Sequence, residues 1–253
     1  MPDLKTVLVT GSARRIGRSI ACAFAQRGYG VIVHYNTSGA EAQALVEELS
    51  RNCPGTVHHA VACDLSAPGS AQRLMDSVFA CLGNGPDVLV NNASCYHRGA
   101  MADAAPEAFE RDFGINFLAP FELMREYHRR CSAGVVINLL DYRVELADPW
   151  SGSYGLAKKA LKDATEAAAV EWAPDFRVNG IAPGIVLPPD GVPMERMQRL
   201  VDRIPMRRRT TEAEIASAAL FLAETPSVNG QILYMDGGLH LLGADYLGEK
   251  RQH

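Results

Sequence analysis

Features that would assign the chain to a membrane or to nucleic acid are missing from its sequence. No apolar run approaches the ~18 residues that a membrane-spanning helix needs, and the N-terminus lacks the charged and apolar regions of a secretory signal. Lysine and arginine are not concentrated in one stretch, apart from the short run Arg207-Arg208-Arg209, and the formal net charge is −4. We therefore expect neither a membrane nor a nucleic acid as a partner.

Paired cysteines are also missing. The six cysteines are scattered along the chain without a Cys-x-x-Cys pair, and several stand in apolar surroundings. Buried free thiols are typical of a reducing compartment. We expect a cytoplasmic protein and predict no metal site.

Strand-like and helix-like segments alternate along the whole chain. Predicted strands lie at 5–11, 29–35, 56–65, 86–94, 134–141, 176–184 and 230–238. Predicted helices lie at 14–28, 39–51, 69–83, 110–130, 151–173 and 212–224. The strands are continuously apolar, which is typical of a parallel sheet buried on both faces. The pattern predicts an α/β fold with a doubly wound, seven-stranded parallel sheet.

Low-complexity tracts, repeats and linkers are absent, so a single domain over 1–253 is predicted. The stretch 182–211 is irregular, being rich in proline and glycine and then briefly amphipathic. An insertion at about 185–211, ahead of the last helix and strand, is a common place for a segment that covers the substrate. The alternative is a surface excursion without a role.

The first strand and helix have the features of a dinucleotide site. Thr10-Gly11 ends the strand, and Gly17 lies in the first turn of the helix. Glycine permits a tight turn and close backbone approach, and a helix N-terminus attracts a pyrophosphate. Arg14 and Arg15 add positive charge there, which is unfavourable at a helix N-terminus unless an anion binds. The stretch is not a Gly-x-Gly-x-x-Gly motif, so its position in the βαβ unit carries the argument.

The tip of the second strand carries no acid, which favours NADPH over NADH. An acid at this position would bind the ribose 2′-hydroxyl and repel a 2′-phosphate. Polar groups able to meet a phosphate stand there instead, namely His34, Tyr35, Asn36, Thr37 and Ser38. Asp64-Leu65, which ends the third strand, is a candidate for the adenine amine, and the alternative for Asp64 is a helix cap.

A tyrosine and a lysine four residues apart, Tyr154 and Lys158, lie on one face of a predicted helix. A phenol of ordinary pKa, about 10, is a poor proton donor or acceptor at neutral pH. We expect the nearby ammonium to favour phenolate and to bring the pKa of Tyr154 toward the working range. Combined with the glycine turn and with Asn91-Asn92-Ala93-Ser94 after the fourth strand, the pair becomes specific.

With these motifs the sequence resembles the short-chain dehydrogenase/reductase family over nearly its whole length. The matching features are Thr10-Gly11, Gly17, Asp64, Asn91-Asn92-Ala93, Asn116, Tyr154, Lys158, Pro183-Gly184 and Asp236-Gly237-Gly238. The resemblance implies a Rossmann-type fold, a homotetramer and hydride transfer from a nicotinamide. It implies that Tyr154 is the acid/base and that Lys158 holds the nicotinamide ribose and lowers the pKa of the tyrosine. Asn116 would help to organise a proton-relay water.

The resemblance also places the cofactor on this sequence. The residues that it assigns to the cofactor are Gly11, Arg14, Arg15, Ile16, Gly17, His34, Tyr35, Asn36, Thr37, Ser38, Asp64, Leu65, Asn92, Ala93, Ser94, Tyr154, Lys158, Pro183, Gly184 and Ile185. Leu187 stands near the place where many members carry a threonine that contacts the carboxamide. The backbone of Ile185 could still dock that group.

Two departures from the common pattern point to one branch of the family. Arg15 stands where the family commonly has glycine, and Asp141 where it commonly has serine. Both changes resemble the pteridine reductase branch, which includes the bacterial dihydromonapterin reductases. There the arginine faces the pterin and the cofactor phosphates, and the aspartate takes part in protonating the ring. Ser94 and Tyr96 also match, as a serine near the pterin and an aromatic that stacks on it; for Tyr96 the alternative is a rim residue without a role.

The predicted substrate is therefore a pterin, bound by Arg15, Ser94, Tyr96, Asp141 and Tyr154. A pteridine presents a C=N bond, so the proton goes to nitrogen, and a carboxyl group beside Tyr154 could pass it on. The alternative for Asp141 is that it only caps the loop or pairs with Arg143.

Three functions stay open. The favoured one is NADPH-dependent reduction of a dihydropterin, such as dihydrobiopterin or dihydromonapterin, with Asp141, Tyr154, Lys158 and Asn116 as the catalytic set. The second is reduction of a carbonyl, in a 3-oxoacyl thioester, a sugar or another ketone. The third is a non-catalytic module that binds NADPH, against which the intact Tyr154, Lys158 and Asn116 argue.

Overall fold

The computed structural model of the chain describes residues 4–96, 99–103, 105–188 and 194–243. Seven strands form one parallel sheet in the order β3-β2-β1-β4-β5-β6-β7. The strands are β1 (Thr6–Val9), β2 (Gly30–Tyr35), β3 (His58–Ala62), β4 (Val88–Asn91), β5 (Gly134–Leu139), β6 (Phe176–Pro183) and β7 (Ile232–Met235). The predicted α/β fold with a doubly wound parallel sheet is confirmed.

Helices cover both faces of the sheet. They are α1 (Arg15–Gln26), α2 (Gly39–Asn52), α3 (Ser70–Leu82), α4 (Pro106–Phe113), α5 (Ala119–Arg130), α6 (Gly152–Glu171), α7 (Met194–Val201) and α8 (Glu212–Glu224). No helix in the described part of the chain is long and apolar enough to cross a membrane.

The apolar strands are buried on both sides, as their composition predicts. Val7 and Val9 of β1 share a buried cluster with Phe24 of α1, on the face that α1, α2 and α8 cover. Leu8, between them, joins Leu123 of α5 in the cluster under α3, α5 and α6. Successive side chains of a strand point to opposite faces, so a continuous apolar run can bury both.

The strand order sets the place of the site. From β1 the chain proceeds outward to β2 and β3, then returns to β4 on the other side of β1. The loops that follow β1 and β4 therefore leave the sheet in opposite directions. In open α/β sheets the crevice between such loops is the usual ligand site.

The predicted helix at 110–130 is interrupted. α4 ends at Phe113, residues Gly114–Leu118 form a π-helical segment, and α5 begins at Ala119. A π segment widens the turn and releases backbone groups from regular bonding, and such segments are frequent at functional sites. Apolar periodicity alone does not distinguish this wider turn from a continuous helix.

The insertion after β6 packs against the loop that follows β5. Ile204, which comes just after α7, is buried with Tyr142, Leu146 and Leu239. Residues 189–193 of the predicted insertion lie outside the described residues.

Candidate active site

The turn between β1 and α1 requires both of its glycines. Gly11 has a φ of +62°, and a Cβ there would lie 3.0 Å from Cα of Ala93. A Cβ on Gly17 would lie 2.5 Å from Nδ2 of Asn92 and 2.5 Å from the carbonyl oxygen of Gly11. Any side chain at either position would displace the backbone of the turn.

Thr10 joins the end of β1 to the end of β4. Its Oγ1 accepts hydrogen bonds from the backbone N–H groups of Asn92 and Ala93, each at 2.9 Å. The Asn92 side-chain amide donates to the carbonyl oxygens of Thr10 at 2.8 Å and of Gly11 at 3.1 Å. The sequence pairs Thr10-Gly11 and Asn92-Ala93 are therefore one unit in the fold.

His34 holds the glycine turn in place through a hydrogen bond to the turn's backbone. Its Nδ1 accepts from the backbone N–H of Gly11 at 3.0 Å, which fixes the neutral tautomer, and Nε2 lies 3.0 Å from the carbonyl oxygen of Cys63. Burial lowers the pKa of the His34 imidazole to about 4. His34 is buried and both ring nitrogens have backbone partners, so its observed role is to support the turn, and its contact with a 2′-phosphate stays a prediction.

A cleft of about 610 Å³ opens above this turn. Its lining includes most of the predicted cofactor residues, namely Gly11, Arg14, Arg15, Ile16, Gly17, His34, Tyr35, Asn36, Thr37, Ser38, Leu65, Asn92, Ala93 and Ser94. Ala13, Cys63, Cys95 and Ile115 also line it and were not predicted, because small and apolar side chains carry no chemical signature in a sequence.

The cleft fits a phosphorylated dinucleotide. Among the described residues no side chain caps the N-terminus of α1, and its first turn contains no acid, so this helix end suits an anion. The glycine turn leaves room for close backbone approach, and Arg14 stands at the mouth. The hydroxyl and amide groups of Asn36, Thr37 and Ser38 line the part of the cleft that follows β2.

Asp64 and the residues after β6 lie outside the lining of the cleft. Oδ1 of Asp64 accepts from the backbone N–H of Ser66 at 2.9 Å and from its hydroxyl at 2.6 Å, so Asp64 holds a turn and not the N-terminus of α3, which begins at Ser70. Gly184 lets β6 approach β7, because a Cβ there would lie 2.7 Å from Cα of Asp236. Pro183 ends β6, and Ile185 packs against the cluster around Tyr142. Contact of these residues with the cofactor stays a prediction.

Arg15 occupies a backbone conformation that favours glycine. Its φ is +55°, and its guanidinium donates to the carbonyl oxygen of Pro188 at 2.8 Å. A left-handed conformation costs a residue with a side chain about 1–2 kcal/mol. The common glycine of the family therefore has a steric reason at this position, and an arginine is retained there at a cost in backbone strain.

Asn116 lies in the π segment and ties it to the loop after β4. The side-chain amide donates to the carbonyl oxygens of Cys95 at 2.9 Å and of Asp112 at 3.0 Å, and Oδ1 accepts from the Ser94 hydroxyl at 2.6 Å. The side chain is fully buried. The observed role of Asn116 is thus to fix Ser94 and Cys95 against the cleft, and its role toward a relay water stays a prediction.

Tyr154 and Asp141 are in direct contact. The Tyr154 hydroxyl donates to Oδ2 of Asp141 at 3.0 Å. Asp141 follows β5 by two residues, and α6 carries Tyr154 in its first turn. Lys158, one turn further along α6, donates to the carbonyl oxygen of Leu139 at 2.7 Å, and its ammonium lies 5.9 Å from the centre of the Tyr154 ring.

Burial dominates the protonation of this cluster. It raises the pKa of the Tyr154 phenol well above its ordinary value, the Asp141 carboxylate adds to the rise, and Arg143 opposes it. The expected fall in the pKa of Tyr154 is therefore wrong. Burial also lowers the pKa of the Lys158 ammonium to about 8, against the effect of Asp141. Tyr154 is held as a neutral phenol, the form that can donate a proton.

Asp141 caps its loop and pairs with Arg143, as the alternative describes, and it also contacts Tyr154; its part in proton transfer stays a prediction. One carboxylate oxygen accepts from the backbone N–H of Arg143 at 2.9 Å and caps the short 3₁₀ turn Tyr142–Glu145. The guanidinium of Arg143 contacts both oxygens, at 3.1 and 3.3 Å. Loop capping and ion pairing accompany the contact with Tyr154 instead of replacing it.

Tyr96 lines the cleft and contacts Tyr154, which with Asp141 forms what we call the tyrosine end of the site. Its ring meets the Tyr154 ring edge to face, with centroids 4.8 Å apart, and 42% of the residue is exposed. Arg15, Ser94 and Tyr96 line the same cleft. The five predicted substrate residues are therefore brought to one region of the molecule.

Comparison with known proteins agrees with this geometry. A family model described as enoyl-(acyl carrier protein) reductase matches residues 11–240. Pteridine reductase 1 of Leishmania tarentolae is 29% identical, over 96% of this chain and 99% of that protein. The 3-oxoacyl-acyl-carrier-protein reductase FabG of Staphylococcus aureus is 28% identical, over 95% of this chain and 100% of that protein.

A solved structure has the same architecture. FolM alternative dihydrofolate reductase 1 from Brucella canis, complexed with NADP, superimposes with a TM-score of 0.86 at 33% sequence identity and covers 94% of each chain. The family match spans Gly11, Gly17 and the Tyr154–Lys158 pair on α6. The chain therefore belongs to the short-chain dehydrogenase/reductase family.

Proposed function

We propose that the protein is an NADPH-dependent reductase of pterins that converts a dihydropterin, such as dihydrobiopterin or dihydromonapterin, to its tetrahydro form. The observation that carries this proposal is the hydrogen bond from the Tyr154 hydroxyl to Asp141, 3.0 Å long, beside the cleft that Arg15 and Tyr96 line. A ketone reductase needs a hydroxyl at the position of Asp141 to bind a carbonyl oxygen. A carboxylate suits a substrate that gains a proton on nitrogen.

NADPH is the proposed cofactor. The acid that would repel a 2′-phosphate is absent after β2, where Asn36, Thr37 and Ser38 line the cleft. The FolM structure that resembles this chain was solved in complex with NADP. When bound, NADPH would supply the hydride that reduces the C=N carbon.

The proton for the ring nitrogen would come from Tyr154. Its phenol is neutral and already aligned as a donor toward Asp141. Asp141 would take up a proton from solvent and return it to the tyrosine after each turnover. The Lys158 ammonium, 5.9 Å from the ring, would stabilise the transient phenolate.

The pterin would lie flat against Tyr96. An exposed aromatic ring at the edge of the cleft offers a stacking surface for a planar heterocycle. Arg15, with its charged fork, would face the oxygen and nitrogen edge of the ring and the cofactor phosphates. Ser94 would contact the same edge, and the insertion that carries α7 would cover the bound substrate.

A cytoplasmic homotetramer is part of the proposal. All six cysteines are free thiols, as expected in a reducing compartment. Phe221 of α8 is 52% exposed beside a shallow groove lined by Leu233 and Met235 of β7. Such a face is suited to contact with a second copy of the chain.

Carbonyl reduction is the second candidate. The FabG relative from Staphylococcus aureus matches the chain over nearly its full length, and a Tyr154–Lys158 pair would serve a carbonyl equally well. Arg15 favours the pterin, because a ketone gives this guanidinium little to bind.

A screen of NADPH oxidation separates the candidates. We expect turnover with dihydrobiopterin or dihydromonapterin, and at least about 100-fold lower kcat/KM with acetoacetyl thioesters, as expected when buried polar groups lose their partners. The reverse preference would establish the carbonyl reductase. Tight NADPH binding without turnover of either class would indicate a non-catalytic module.

A further inference from the structure

Arg143 lies between two acids at the tyrosine end of the site. Its Nη1 is 3.1 Å from Oδ2 of Asp141, and its Nε is 3.1 Å from Oδ2 of Asp148. The side chains of all three are largely withdrawn from solvent, with 22% of Arg143, 14% of Asp141 and 5% of Asp148 exposed. Ion pairs this buried are sensitive to the loss of one partner, which leaves a charge without compensation.

The same guanidinium is packed between two aromatic rings. Its carbon lies 4.8 Å from the ring centre of Tyr142 and 5.7 Å from that of Tyr96. Tyr96 in turn meets Tyr154 edge to face at 4.8 Å. Arg143 thus contacts both the acid that pairs with Tyr154 and the ring that lines the cleft.

A carboxylate held by one donor can rotate, whereas one held by several cannot. Asp141 accepts from the backbone N–H of Arg143 through Oδ1 and from its guanidinium through both oxygens. These bonds direct Oδ2 toward the Tyr154 hydroxyl at 3.0 Å. Both of these guanidinium contacts come from Nη1, while Nε lies 3.1 Å from Asp148, so the planar group spans two acids, which a single lysine ammonium cannot do.

We propose that Arg143 is a positioning residue that fixes Asp141 against Tyr154 and Tyr96 against the cleft. The inference rests on the proposed function, because it assigns Arg143 to the proton-donating side of that reaction. Arg143 acts through its neighbours and does not contact the reacting atoms. Asp148 is its second charge partner, at ion-pair distance from an Nε that makes no hydrogen bond within the described residues, and its charge would keep the guanidinium in place when Asp141 exchanges a proton.

The ion pair between α5 and α3 offers a matched control. Arg130, at the end of α5, pairs with Asp76 of α3 at 2.6 Å and lies 4.3 Å from the ring centre of Phe79. Its side chain is also 22% exposed. Its partner Asp76 is 57% exposed, so Arg130→Met removes an ion pair and a ring contact from an equally exposed arginine with a more exposed acid, without touching the cleft lining.

The test compares Arg143→Met with Arg130→Met in kinetics and in crystal structures. We expect Arg143→Met to lower kcat by about 100-fold, as small misplacements of catalytic groups do, with NADPH affinity unchanged. Arg130→Met should stay within about twofold of the wild type, as expected when an exposed ion pair is lost. The crystal structure of Arg143→Met should show the Asp141 carboxylate turned away from Tyr154. Wild-type kcat together with an unmoved Asp141 would overturn the proposal.

Arg143→Lys keeps the proposal testable if the methionine variant fails to fold. Lysine retains the charge and can reach one acid but not both, so we expect a kcat between those of the wild type and Arg143→Met. A wild-type kcat in Arg143→Lys would contradict the need for the fork. The position of Asp141 in the variant crystal is read without any substrate, so failure of the pterin assignment and failure of the positioning role give different results.

Discussion

The glycine-turn end of the site and its tyrosine end are held by different interactions. At the glycine turn the bonds are neutral and involve the backbone, as in the Gly11 N–H to His34 and the N–H groups that donate to Thr10. At the tyrosine end, buried charged side chains hold one another, as Asp141 and Arg143 do. The first arrangement sets where the cofactor can lie. The arrangement at the tyrosine end determines the reaction, because ionisable side chains there can take up and release protons.

The largest predicted effect lies at the tyrosine end. Tyr154→Phe removes the proton donor and leaves the glycine turn intact, so kcat should fall by about 10³-fold while NADPH affinity stays within about twofold of the wild type. Stopped-flow turnover and fluorescence titration of NADPH measure the two quantities. Equal losses of kcat and of NADPH affinity would show that the two ends of the site do not act independently.

At the glycine-turn end, the predicted effect is a free energy of unfolding that depends on pH through His34. The pKa of the His34 imidazole is about 4 in the folded protein and has its ordinary value of 6.5 in the unfolded chain. Protonation thus favours the unfolded chain, and stability falls as the pH drops from about 6.5 to about 4. At about 1.4 kcal/mol per pKa unit, the loss amounts to about 3 kcal/mol.

The control for this titration is His34→Gln, whose amide can accept from Gly11 and donate to Cys63 without titrating. Urea unfolding at pH 7 and at pH 4 should show a smaller loss in the variant than in the wild type, by about 3 kcal/mol. An identical loss in both proteins would mean that the carboxylates, not His34, set the acid sensitivity.

The smallest predicted effect is that of replacing Arg15, which begins α1 and lines the cleft. Arg15→Gly relieves the positive φ, so the free energy of unfolding should rise by up to about 1 kcal/mol, less the extra entropy of glycine in the unfolded chain. The KM for dihydropterin should rise about tenfold, because a charge-assisted contact is lost. Thermal unfolding and steady-state kinetics measure these changes.

Arg207→Gly is the stability control for Arg15, since Arg207 has a φ of +50° in the turn after α7. We expect the free energy of unfolding to rise by a similar amount in Arg207→Gly. A loss of stability in Arg15→Gly, or an unchanged KM, would show that Arg15 is not retained for the substrate.

The fold could be predicted from the sequence because its central strands are mostly apolar runs. Val31, Ile32 and Val33 of β2 are fully buried, as a parallel sheet covered on both faces requires. The cleft was also predictable, because the glycines at 11 and 17 mark the close approach of the first and fourth strands.

The features that sequence reasoning missed depend on tertiary contacts that no local pattern records. His34 lies among apolar residues of β2, and its burial under the turn depends on Gly11 and Cys63, which are distant in sequence. The π segment around Asn116 has the same apolar spacing as an ordinary helix. Arg143 was considered only as a partner for Asp141, because its second acid and its two rings converge on it only in the fold.

Replacing Asp141 by serine tests the central claim most directly. The kcat/KM for dihydropterin of Asp141→Ser should be at least about 100-fold below that of the wild type, the size of a lost general-acid contribution, with the NADPH affinity unchanged. Undiminished pterin reduction by Asp141→Ser would contradict the claim that the carboxylate beside Tyr154 is there for a nitrogen heterocycle.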